Sequence, residues 1–248
     1  MDEGGPVVIF ADAFAWLLDP ANWSGPNSIP ARVGTHLLYC LGAVLGASAV
    51  AVPLGLYVGH TGRGGLLLVG VGNALRALPT LGLVTLLYLV MSGVPAVGVL
   101  ISLVVLAVPP VLAGTYAGVQ GVDRGVVDAA RGVGMTGAQR LWRVELPNAL
   151  PLVVGGLRNA ALQVVATASV AAYVGVETLG RPLLDGLRVL DYGQFVGGAV
   201  LIALLAVVVD GVLAVAGRLV VPRGLRLSAQ PRRRAKPAEA LEVGGSTA

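Results

Sequence analysis

The 248-residue chain is 56% hydrophobic and only 12% charged, and its 36 glycines bring the apolar share to about 70%, whereas a soluble domain carries roughly 25% charged residues. That leaves too little polar surface to cover a water-soluble particle of this size, which excludes a soluble enzyme and points to lipid as the solvent. The net charge of +4 comes from 17 basic and 13 acidic residues; the basic ones lie between apolar runs and at the C-terminus, which suits membrane lipid headgroups and not nucleic acid.

In chain order, Met1-Asp2-Glu3 is acidic where a cleavable signal would be basic. Val7 to Leu18 is apolar but short and interrupted by Asp12, so it is expected to lie at the interface, with Trp16 and Trp23 as headgroup-level anchors. Residues 1–32 therefore form an extracytoplasmic or interfacial segment. Leu37 to Gly59 is long and apolar enough for a first crossing, with Cys40 a buried small hydrophobe within it. His60, beside Arg63, is expected in solvated loop, and His36, His60 and Cys40 give no metal-ligand cluster. The stretch from Gly64 to Met91 is about 42 Å long as a helix, against a hydrocarbon core of about 30 Å, and Pro79 removes a backbone donor within it. A proline-broken span is expected there, with two short half-crossings as the competing count.

Ser92-Gly93-Val94-Pro95 carries turn chemistry, and a further span runs from about Ala96 to Gln120. After a polar loop over 119–147, the segments Asn159 to Val176 and Tyr192 to Gly217 complete the set. The fold class is thus all-α and polytopic, with about five crossings and six as the alternative. Residues 33–221 make the transmembrane domain, and residues 222–248 a disordered, basic tail. Five crossings place eleven basic residues on one side (Arg63, Arg124, Arg131, Arg140, Arg143 and six beyond Pro222) and only Arg32, Arg181 and Arg188 on the other. The positive-inside rule then puts the 119–147 loop and the C-terminus in the cytoplasm and the N-terminus outside.

Ionisable groups inside spans are expensive and face a bundle interior. Arg158 and Glu177 lie near opposite ends of one span, where snorkelling to the interfaces accounts for them. Arg76 and Asp210 are deeper and are expected to stabilise packing around the broken helix as a pair. Gly42/Gly46, Gly55/Gly59, Gly114/Gly118 and Gly193/Gly197 have the spacing of close helix contacts, although so glycine-rich a chain produces such pairs by chance. Tyr57, Tyr88, Tyr116 and Tyr173 suit either cation–π contact with a quaternary ammonium or interfacial anchoring.

The loop carries the strongest signal. Asp123 is placed to cap a short helix through Ala130, Gly134 to reverse the chain, and Thr136 to cap a second helix that Pro147 terminates. That second helix sets Leu141, Trp142, Val144 and Leu146 among Arg140, Arg143 and Glu145, an apolar patch on a water-facing loop. Such a patch fits a partner protein or an amphipathic loop lying on the membrane.

Asp128-Ala129-Ala130, three residues, Gly134, nine residues, then Val144-x-Leu146-Pro147 resembles the EAA motif of permease subunits of binding-protein-dependent ABC importers, with Asp for Glu and Val for Ile. The resemblance implies a type I importer permease fold. It also implies that Asp128, Ala129, Ala130, Gly134, Leu141, Trp142, Val144, Leu146 and Pro147 form the element that docks in a cytoplasmic ATPase. Asn73-Ala74-Leu75-Arg76-Ala77-Leu78-Pro79-Thr80-Leu81 and Thr167 to Gly180 are similar to the osmoprotectant branch, which handles glycine betaine, choline and carnitine, though Val176-Glu177-Thr178 departs from it. The implied partners are ABC ATPase subunits, a second permease copy or paralogue and an extracytoplasmic substrate-binding protein, in the inner membrane. ATP and Mg would be bound by the ATPase, since the only lysine here, Lys236, rules out a Gly-x4-Gly-Lys phosphate loop. No catalytic residue and no cofactor or metal site is expected in this chain, and Arg76, Pro79, Tyr173 and Asp210 are candidates for the translocation path or its packing. Import of another solute such as an amino acid is the alternative within the class. An ion-coupled secondary transporter would call for inverted repeats and a midplane carboxylate pair, neither of which is evident.

Overall fold

A computed structural model describes residues 6–221; the tail expected over 222–248 and the acidic residues before Pro6 lie outside the described part. Among the described residues every regular element is helical. Helix α1 (Pro6–Leu18) leads through a short 3-10 turn to α2 (Ile29–Thr61), followed by α3 (Gly65–Arg76), α4 (Thr80–Val90) and α5 (Pro95–Gln120). Two short helices, α6 (Arg124–Gly132) and α7 (Gly137–Arg140), precede a π-helical turn over Leu141–Glu145. Then come α8 (Leu146–Thr167), a 3-10 segment over Ala168–Val174, α9 (Gly180–Val189) and α10 (Tyr192–Val220).

Helices long and apolar enough to cross a membrane are α2, α5, α10 and the continuous run Gly137–Val174. Helices α3 and α4 are apolar enough to count together as a fifth, bent by 87° at the break between them. The break falls where expected: Pro79 has no N–H to continue α3 and stands extended at the start of α4. The turn over 91–94 separates α4 from α5.

Helix α5 is the hub. Its apolar stretch is 56% buried, against 6% for α10. Val99, Leu103, Ala107 and Val111 pack with Ala43, Ala47 and Ala51 of α2 and with Ala160 and Val164 of α8. Pro110 leaves the Leu106 carbonyl without its helical donor; Gln163 of α8 supplies one, Nε2 donating at 3.0 Å. His36, fully buried on α2, donates from Nε2 to the Val165 carbonyl at 2.9 Å near the end of α8.

All four glycine pairs lie at helix contacts, so chance does not account for them. The α5–α8 crossing brings backbone against backbone: a Cβ on Gly114 would stand 2.7 Å from the Gly156 Cα and 2.7 Å from the Leu152 carbonyl oxygen. Gly55 and Gly59 admit Thr115 and Val119 of α5, Gly42 and Gly46 admit Leu100 and Val104, and Gly193 and Gly197 admit Asp12 and Trp16 of α1. Trp16 is therefore a packing residue on α10 and not a free headgroup anchor. Trp23 is exposed, its indole N–H donating to the Leu17 carbonyl at 2.7 Å.

Candidate functional site

The segment between α5 and α8 begins as its residue types dictate. The Asp123 side chain accepts from the Gly125 amide at 2.6 Å and caps α6. Gly134 adopts φ +80, a conformation costly for any residue with a Cβ, and reverses the chain. Thr136 and Gln139 cap α7 reciprocally: the Gln139 amide donates to the Thr136 hydroxyl at 3.3 Å, and the Thr136 amide to the Gln139 side-chain oxygen at 2.9 Å.

Pro147, however, does not end the second helix. It sits in the first turn of α8, and the helix runs on unbroken from Gly137 to Val174. A π turn directly precedes the proline, with the Leu146 N–H bonded to the Leu141 carbonyl five residues back, and the Asn148 side chain donates to the Val144 carbonyl at 2.7 Å. The segment is thus the start of a helix long and apolar enough to cross a membrane, and is continuous with it.

The motif residues divide by what they touch. Leu141 and Leu146 pack inward against Leu56, Val119, Ala149 and Val153, and Ala130 is buried. Asp128 stands in solvent, bridged to Arg131 at 3.2 Å. Trp142 is 60% exposed, and Val126 and Val133, earlier in the same segment, are exposed as well. The predicted four-residue patch is therefore narrower than expected at Leu141 and Leu146, and Val126 and Val133 were not singled out from sequence.

Sequence reasoning also missed a charged cluster beneath this segment. His60 is not a solvated loop residue; it lies in the last turn of α2, where Nδ1 meets Glu145 Oε2 at 2.5 Å. Glu145 is only 4% exposed, and its other oxygen accepts from Arg140 Nε at 2.8 Å. A polar cavity of about 380 Å³ lies alongside, lined by His60, Gln120, Arg124, Asp128, Arg131 and Glu145. The available signal was a carboxylate at Glu145 flanked by Leu146 and Val144 in a helix start that otherwise carries only basic charge, but nothing in the local pattern pointed to a partner 85 residues away.

Within the spans the expected Arg76–Asp210 pair does not form. Both carboxylate oxygens of Asp210 on α10 are bound by the Arg158 guanidinium on α8, so Arg158 is not a snorkelling residue. Helix order explains this: α10 packs on α8, while Arg76 closes α3 on the other side of α5 and lines a cleft with Asn73, Leu112 and Tyr116. Glu177 also has partners, Arg32 at 3.2 Å and Arg181 at 3.7 Å. Pro79 stands exposed at the α3–α4 bend, and Tyr173, also exposed, borders a shallow pocket with Leu183, Leu187 and Phe195. The four path candidates are therefore not gathered into one site in the isolated chain.

The profile of the binding-protein-dependent transport system inner membrane component family matches residues 51–223, well over half of the chain and including the whole capped segment. The chain belongs to that family. This permease is 33% identical over 195 residues to the glycine betaine/carnitine/choline transport system permease protein OpuCB of Bacillus subtilis, covering 79% of this chain and 89% of the relative. It is 34% identical to the choline transport system permease protein OpuBB of the same organism, covering 77% and 88%, respectively. One chain of the inward-facing MetNI methionine ABC transporter superposes on it with a TM-score of 0.66 at 20% identity, covering 84% of this chain and 98% of that one. The permease thus has an ABC importer permease fold and is a multi-pass inner-membrane transport protein.

Proposed function

We propose that the chain is the permease subunit of an ATP-driven importer for small osmoprotectants such as glycine betaine, choline, carnitine or proline betaine. The observation carrying this is the conjunction of a capped, glycine-reversed segment presenting Trp142 to solvent with relatives whose names specify glycine betaine, carnitine and choline. ABC ATPase subunits grip the segment over Asp128 to Pro147, and ATP with Mg binds and is hydrolysed there, not in this chain. A second permease copy or paralogue completes the path, and an extracytoplasmic binding protein delivers the solute. The loop and tail face the cytoplasm and the N-terminus faces outward, as the distribution of basic residues favours.

The mechanism is alternating access by rigid-body motion. Closure of the ATPases pushes the coupling segments, and because α7, the π turn and α8 are continuous, the stroke enters the bundle along α8. The Gly114–Gly156 contact holds α5 against α8, so those two spans move as one body. Arg76, with no carboxylate at ion-pair distance among the described residues, is costly against lipid; a wet path along the α3–α4 bend relieves that cost and makes Arg76 and Pro79 its best lining candidates.

The test is reconstitution of permease, ATPase and binding protein in liposomes with labelled glycine betaine, choline and carnitine. The expected result is ATP-dependent accumulation of at least one of the three and none when the ATPase is left out. Uptake without ATPase would place the protein among secondary transporters, and uptake confined to amino acids would overturn the solute class.

A further inference from the structure

We propose that Glu145 is the positioning residue of a latch that ties the coupling segment to the C-terminal end of α2, so that one stroke of the ATPase drives α2 and α8 together. The proposal rests on the coupling reading above and adds a route by which the stroke reaches a second span.

The geometry is specific. Residues five apart in an α-helix point about 140° away from each other. The π turn over Leu141–Glu145 removes that offset and brings Arg140 and Glu145 into contact at 2.8 Å. The other carboxylate oxygen takes His60 Nδ1 at 2.5 Å, and Arg140 Nη2 lies 3.4 Å from His60 Nε2. A single ring proton, on Nδ1, satisfies the whole triangle: Nδ1–H donates to Glu145, and Nε2 accepts from Arg140. Gln120 fastens α5 to the same turn, its Nε2 donating to the Gly59 carbonyl at 2.9 Å.

The burial pattern marks a transmitting contact rather than a stabilising one. Side chains of His60, Arg140 and Glu145 are 17%, 13% and 5% exposed, so the ions are largely removed from water. Buried ion pairs are weak sources of net stability, yet they are directional and fail sharply when one partner is removed. The permanent seams of this bundle use small residues and backbone contact instead. Beside the latch lies the 380 Å³ polar cavity, so the α6 side of the segment is not packed solid against α2 and α5, and the latch is the polar tie across that gap.

The experiment follows two labels in the complete transporter, built on Cys40→Ala. One nitroxide is placed on the coupling segment at Gly132→Cys and one just past α2 at Arg63→Cys, both exposed positions. In the otherwise unaltered transporter, ATP should shift both spectra. With Glu145→Gln the label at 132 should still respond, and the one at 63 should lose its response. His60→Ala should reproduce that loss, and His60→Asn, whose amide nitrogen stands where Nδ1 did, should recover part of it; this pair carries the test if Glu145→Gln fails to fold. The ratio of solute imported to ATP hydrolysed should fall about tenfold in Glu145→Gln while hydrolysis persists. An unchanged response at 63 in both Glu145→Gln and His60→Ala would overturn the latch, as would loss of both responses while the ATPase stays bound. Silence of the label at 132 before any latch substitution would instead bring down the coupling reading itself.

Discussion

Where α5 crosses α8, Gly114 and Gly156 bring backbone against backbone with no room for a methyl group. Where the 123–147 segment meets α2, Leu141 and Leu146 pack near Leu56, and the directional part of the contact is a histidine, an arginine and a buried glutamate beside a polar cavity. The first contact has essentially one arrangement, because close-packed backbones cannot slide without clashes. The second is held by directional bonds between groups that water or another partner can satisfy. A membrane bundle that moves as a rigid body under an external push needs both: seams that do not yield and a junction that passes on a displacement.

The comparison breaks most severely at the seam. Gly114→Val forces a side chain into the Gly156 Cα and the Leu152 carbonyl, and should destabilise the protein by about 3 kcal/mol or more, seen as loss of folded protein and a lowered thermal transition in detergent. A fall of less than about 1 kcal/mol would mean that the crossing is looser than described.

Next comes the ion pair joining α8 to α10. Asp210→Asn leaves a guanidinium in an apolar groove and should reduce the yield of assembled protein, and the reversed pair Arg158→Asp with Asp210→Arg should restore much of it. Additive losses would show that the two residues act separately. At the coupling end the effect on the fold is smaller: Gly134→Ala pays about 1 kcal/mol for φ +80 and should weaken ATPase binding roughly fivefold without lowering the thermal transition of the transmembrane bundle. An equal loss of bundle stability would erase the distinction between the two regions.

Much of this arrangement was legible from the sequence, because its determinants are local. Apolar run length located the spans, Pro79 and Ser92–Pro95 located the break and the turn, and Asp123, Gly134 and Thr136 act where their side chains and backbone freedom require. What stayed hidden is what depends on which helices become neighbours. Asp210 takes Arg158 because α10 lies on α8, 52 residues away in sequence, and His60 takes Glu145 across 85 residues. Pro147 misled for a different reason: a proline is tolerated in the first turn of a helix, and here it follows a π turn at the start of α8, from which the helix runs on. The glycine pairs were visible from sequence as spacing only, since a small residue shows that a neighbour can come close and not which neighbour does.

The central claim, that the 123–147 segment is gripped by a separate nucleotide motor, is tested most directly by the affinity of the permease in lipid nanodiscs for its ATPase, with and without Trp142→Ala. Trp142 is 60% exposed, so its removal should cost the fold little, and the account predicts a loss of about 2 kcal/mol in binding, near 30-fold, with the thermal transition nearly unchanged. Equal affinity of the two proteins for the ATPase would contradict it.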